Sequence, residues 1–144
     1  MSIQIEILRE PDFLKVIATG KFSLKEAERT FLEILEAIVS HKTGKAMIDG
    51  RTLTGKPATI ERFLYGKFAA SSVAMYKARG LSPFTAFAYV LKVPVLDPQR
   101  FGETVAVNRG MRIKVFDNVE DAFTWLELAP APKPDALSAR TVGN

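Results

Sequence analysis

The stretch Lys45–Phe63, KAMIDGRTLTGKPATIERF, decides how this chain folds. Its first five residues, KAMID, read as a short strand. A glycine-flanked loop follows. Helical spacing then begins near Pro57, a residue well tolerated in a first helical turn. A strand running through a loop into a helix is the building unit of a parallel sheet. The loop also matches a chemical motif. Gly50-Arg51-Thr52-Leu53-Thr54-Gly55-Lys56 has the G-x-x-x-x-G-K spacing of a phosphate-binding loop, but Pro57 stands where Ser or Thr would hold a metal ion. Proline also removes one N–H donor, and Asp49 places a negative charge beside the loop. Nucleotide hydrolysis is therefore not expected. Weaker anion binding at the helix start is expected, because free N–H groups and the helix dipole attract anions there.

The flanking segments repeat the same alternation of strand and helix. SIQIEIL (2–8) alternates polar and apolar residues, and FLKVIATG (13–20) is rich in β-formers. With the turn Glu10-Pro11-Asp12 between them, they predict an antiparallel hairpin. A helix follows, with Ser23 and Glu26 as a capping box. Leu24, Ala27, Phe31, Leu35 and Ile38 form its apolar stripe, His41 and Lys42 suit its negative pole, and Gly44 is expected to close it. In the helix after Pro57, the spacing of Ile60, Leu64, Phe68, Ser71, Met75 and Ala78 predicts the core face. FTAFAYVLK (84–92) is a strand, and its Phe84, Phe87 and Tyr89 read as core with one face available to line a groove. DPQRFGETVAVNRG predicts a short helix, MRIKVF (111–116) a strand, and DNVEDAFTWLEL (117–128) a final helix capped by Asn118 or Asp117. The expected fold is α/β, a single domain of order ββαβαβαβα over residues 1–128, with helices packed on a central mixed sheet. The Pro-rich tail 129–144, APAPKPDALSARTVGN, is expected to be flexible.

Composition bounds the chemistry. The chain has 144 residues, no cysteine and one histidine, so a disulfide framework, a thiol nucleophile and a metal site are not expected. No G-x-S-x-G is present. Carboxylate pairs such as Glu33/Glu36 and Glu120/Asp121 suit solvated helix faces. No catalytic residue and no cofactor are expected. The N-terminus carries early charges and no apolar signal segment, and no run approaches the roughly 20 apolar residues of a membrane span. A cytoplasmic location is the expectation. The net charge of +4 is unevenly spread. Residues 42–80 hold eight basic and two acidic residues, a local balance of +6, which attracts acidic partners or phosphate groups. Arg62, Lys67, Tyr65 and Tyr76 interleave charge with aromatics, yet no base-reading motif accompanies them, and nucleic acid is not an expected partner.

The hairpin ending in ATGKFS, the strand ending in IDGRTLTG and the closing VFDNVEDAFTWL together resemble the SpoIIAA-like, or STAS/SEC14-like, fold. The resemblance spans residues 1–128. Anti-sigma-factor antagonists of this group use the loop after the third strand to meet a kinase, which phosphorylates a serine in an M-D-S-S-G type sequence. Aligning the strand-end aspartate with Asp49 puts Gly50 and Arg51 where those serines fall, so this chain lacks the phosphoacceptor serine. Thr52 and Thr54 are the nearby hydroxyls and the candidate phosphorylation sites. The SEC14-like branch implies lipid binding. The leading expectation is a non-enzymatic regulatory or binding module that contacts a protein or an anionic small molecule through the 49–57 loop. Asp49, Arg51, Thr52, Thr54, Lys56 and Arg62 are its candidate site residues. The alternative is a small-molecule or lipid-like ligand in a pocket between sheet and helices. A homodimer through an exposed helix or sheet edge is compatible with either.

Overall fold

The computed structural model describes residues 2–128. The expected tail, 129–144, lies outside them. The chain runs β1 (Gln4–Arg9), β2 (Leu14–Thr19), α1 (Leu24–His41), β3 (Lys45–Asp49), α2 (Thr59–Lys77), β4 (Ala86–Val90), α3 (Phe101–Val107), β5 (Arg112–Phe116) and α4 (Val119–Leu126). This is the element order that the sequence predicts. The strands form one mixed sheet in the order β1-β2-β3-β4-β5. β1 and β2 pair antiparallel, and each later neighbour pairs parallel. From β2 onward each strand takes the next place in the same direction. Right-handed crossovers then bring α1, α2 and α3 to one face. α4 covers the other face over β3, β4 and β5.

β4, AFAYV, is buried along its whole length, as a continuous apolar strand between two covered faces should be. The larger core lies under α1–α3, around Val16, Phe31, Leu35, Ile38 and Phe87. The smaller one packs Met47, Val90 and Phe116 against Phe123 and Leu126 of α4. His41 Nε2 donates to the Glu10 carbonyl at 2.8 Å, tying the end of α1 to the β1–β2 turn. Asn118 caps α4 by accepting from the Asp121 amide at 2.8 Å. No helix among the described residues is long and apolar enough to cross a membrane.

Several local expectations are corrected. Ser23 Oγ accepts from the Glu26 amide at 3.3 Å, but the Glu26 carboxylate turns to Arg29 instead of completing the box. Lys42, not Gly44, takes the left-handed position after α1, with φ 58°. α2 begins at Thr59, two residues beyond Pro57. Phe84 precedes β4 and is 77% exposed, so it is no part of the core.

The largest correction concerns the face of α2. Ile60 and Met75, expected inside, are 60% and 62% exposed. The buried face is instead Gly66, Ala69, Ala70, Ser72, Val73 and Tyr76. The cause is proximity. A Cβ on Gly66 would lie 2.6 Å from the Gly102 carbonyl oxygen of α3, and one on Gly102 would lie 3.2 Å from the Arg62 carbonyl oxygen. Backbones this close exclude large side chains between them, so the small-residue face turns inward. In an exposed helix Gly→Ala stabilises by roughly 1 kcal/mol. Here Gly66→Ala is expected to destabilise the domain by about 1–3 kcal/mol in urea unfolding, because the new methyl meets backbone. Gly44, with open space around its Cβ position, is the control, and Gly44→Ala should stay within about 0.5 kcal/mol of wild type. A more stable Gly66→Ala protein would refute the close approach.

Candidate functional site

The 49–57 loop leaves the carboxyl end of β3, where ligand-binding loops gather in open α/β sheets. It is held at both sides. The Gly50 amide donates to the Val90 carbonyl at 2.8 Å. On the other side the Thr54 amide donates to the Gly20 carbonyl and the Phe22 amide to the Thr54 carbonyl, both at 2.9 Å. The Leu53 amide turns back to the Gly50 carbonyl at 3.1 Å. A phosphate loop needs such amides free to cradle its anion. Those of Gly50, Arg51, Leu53 and Thr54 are already bonded within the protein.

Asp49 and Arg51 are brought together. The guanidinium donates from Nε to Oδ1 at 3.0 Å and from Nη2 to Oδ2 at 2.8 Å, and the Arg51 amide adds a third bond to Oδ1 at 3.2 Å. This fork geometry fixes both groups. Burial opposes ionisation of Asp49 and is the largest single influence on it. The hydrogen bonds and charge of Arg51, aided by Lys15, outweigh burial and hold the carboxyl below its usual range. Thr52 and Lys56 are exposed on the loop. Thr54 is exposed too, with its hydroxyl donating to the Gly20 carbonyl at 3.3 Å. At the start of α2, the Glu61 carboxylate accepts from the Ala58 amide at 2.8 Å and so occupies that positive end itself. Arg62 stands apart from this group. It donates to the Val95 and Pro94 carbonyls at 2.7 and 2.9 Å, fastening α2 to the β4–α3 connection.

A second candidate lies inside. Between the sheet and α1–α3 is a cavity of about 140 Å³. Small residues create it: Ala27 of α1, Gly66 and Ala69 of α2 and Ala106 of α3 face Ile48 and Tyr89 of the sheet without filling the space. Arg62, Asp97, Arg100 and Glu103 line its polar end, each engaged with backbone. The Glu103 carboxylate accepts from the Val115 amide at 2.6 Å. Asp97 accepts from the Phe101 and Gln99 amides at 2.8 and 3.0 Å. Arg100 donates to the Asp97 carbonyl at 3.1 Å. The Tyr65 and Tyr89 hydroxyls meet 2.6 Å apart beside the apolar part. Sequence reasoning placed Tyr89 on a groove-lining strand but missed this pair. The legible signal was two tyrosines within apolar segments, since a buried tyrosine hydroxyl needs a partner. Tyr65 and Tyr76 do not form a surface stacking ladder, because Tyr76 donates to Glu36 at 2.6 Å and Tyr65 turns toward Tyr89. Among the described residues no group of three or more His, Asp or Glu could hold a metal ion.

No family model matches the sequence, and no curated protein matches it. Solved structures do. The chain is similar to an anti-sigma factor antagonist from Mycobacterium paratuberculosis, with 16% identity and a TM-score of 0.58 over 88% of this chain and 95% of that one. It is also similar to an uncharacterised protein with a SpoIIAA-like fold from Shewanella loihica PV-4, with 24% identity and a TM-score of 0.48 over 87% of this chain and 94% of that one. Together with the strand order and helix placement, the first likeness gives this chain the SpoIIAA-like fold.

The Asp49–Arg51 fork has a pH signature. A carboxyl with a lowered folded pKa adds stability above its unfolded value of about 4, and that stability is lost as pH falls through the folded value. Asp49→Asn should therefore flatten the decline of unfolding free energy between about pH 5 and pH 2. An unchanged decline would show that the fork contributes nothing to folding.

Proposed function

We propose that this domain is a non-enzymatic regulatory module that binds a protein partner. Its working surface is the 49–57 loop together with the outward face of α2. The observation that carries this reading is the exposure of Ile60, Leu64 and Met75 along one side of a helix. They lie on the side of α2 that faces water and not the sheet. Exposed apolar side chains aligned in this way are a feature of interaction sites. Lys56 and Lys67 are exposed near them, within the segment of +6 charge. The partner this suits presents apolar side chains flanked by acidic ones. The likeness in fold to an anti-sigma factor antagonist, a protein whose name assigns it a protein target, supports a protein partner here.

Within this reading the site residues have distinct parts. The Asp49–Arg51 fork holds the loop in shape, Lys56 supplies free charge, and Arg62 anchors α2. Thr52 is the more available phosphoacceptor, because Thr54 is tied to Gly20. A phosphate at Thr52 would place negative charge on a basic surface and weaken an acidic partner's hold. The cavity supports a second reading, in which the same module takes a small molecule between sheet and helices.

Pull-down from native lysate followed by mass spectrometry tests the surface. A triple Lys56→Glu, Ile60→Asp, Met75→Asp variant should lose the partner that wild type recovers. Its unfolding free energy should change by no more than about 1 kcal/mol, since all three positions are exposed. Equal recovery by a folded variant would refute the assignment.

A further inference from the structure

Tyr65 of α2 and Tyr89 of β4 meet edge to face, with ring centroids 6.4 Å apart and hydroxyl oxygens 2.6 Å apart. Two hydroxyls carry two protons. One lies between the oxygens. Among the described residues the other has no acceptor, because the only hydrogen bond either hydroxyl makes is to its partner. Tyr89 is 7% exposed. Tyr65 is half-buried as a residue, and its hydroxyl is buried against the cavity. Burial raises the pKa of both, that of Tyr65 to about 12, so both remain protonated at neutral pH. A buried donor lacking an acceptor is costly, and folded proteins almost always satisfy such groups.

The space beside this donor is well defined. At about 140 Å³ it is close to the roughly 150 Å³ apolar cavity that accepts benzene in another protein. Away from the polar end the wall around it is apolar apart from the tyrosine hydroxyls and Thr30, whose hydroxyl donates to the Ala27 carbonyl, with Ile5, Ile34 and Ile48 on its sides. The four charged groups at the polar end are two arginines and two carboxylates, each held by backbone atoms, so their charges balance and offer a buried ion no net counter-charge. We infer that the cavity is a binding site for a small, neutral, ring-sized molecule with one hydrogen-bond-accepting oxygen, which takes the spare tyrosine O–H. This rests on the small-molecule reading of the cavity. The ligand sits directly beneath α2, opposite the face proposed to meet the partner.

Two isosteres separate the ligand class from the site itself. Acetophenone carries a carbonyl oxygen where α-methylstyrene carries a methylene, and the two are otherwise alike in shape. Each is titrated into the isotope-labelled full chain and followed by amide chemical shifts. Acetophenone should bind roughly fivefold more tightly, the worth of one neutral hydrogen bond. The shifts should centre on Ile48, Gly66, Ala69 and Tyr89. In a Tyr65→Phe, Tyr89→Phe variant the two compounds should bind equally. Equal binding to wild type would overturn the assigned ligand class and leave the small-molecule reading standing. Binding of neither compound would overturn both. The wild-type comparison decides these outcomes even where the double variant does not fold.

Discussion

The close approach of α2 to α3 governs the rest of this structure. At Gly66 and Gly102 the two helices come so near that a single methyl would touch backbone oxygen. That contact selects which side of α2 can face inward. The chosen side carries glycine, alanines, Ser72 and Val73. Two consequences follow from one constraint. Beneath the helix, small side chains leave volume unfilled, and the cavity forms. Above it, Ile60 and Met75 remain in water. The inner and outer candidate sites are therefore two sides of the same packing decision.

The fold was legible because its signals are local and redundant. Alternating polarity in β1, the Ser23 and Asn118 caps and the apolar run of β4 each point to the observed element. The order of elements and right-handed crossovers then leave little freedom in the sheet. The face of α2 was not legible by the same means. Its large apolar residues recur at helical spacing, but so do its small ones, and periodicity cannot say which stripe meets the sheet. That choice depends on the distance to α3, which involves residues some 36 positions away in sequence. The Tyr65–Tyr89 pair was hidden for a related reason, since it joins α2 to a strand through their final packing.

The loop shows how a motif can fit in sequence and differ in structure. Its spacing is that of a phosphate cradle, yet the amides of Gly50, Arg51, Leu53 and Thr54 are spent on Val90, the Asp49 side chain, Gly50 and Gly20. Arg51, the residue best suited by type to meet an anion, is bound to Asp49 by a fork of two bonds. Electrostatic attraction at this end of the sheet therefore falls to lysines that remain in solvent. The loop's order and the exposed helix beside it together suit recognition of a surface more than enclosure of a phosphate.

The rotation of α2 is the claim on which these readings stand, and the lack of native cysteine makes it directly measurable. Single cysteines at positions 60, 69, 73 and 75 can be labelled one at a time in the native protein with a thiol reagent, and each rate compared with that in denaturant. Ile60→Cys and Met75→Cys should react at close to their denatured rates, while Ala69→Cys and Val73→Cys are strongly protected. Protection at 60 and 75 with rapid reaction at 69 and 73 would place the large-residue stripe against the sheet and contradict the account.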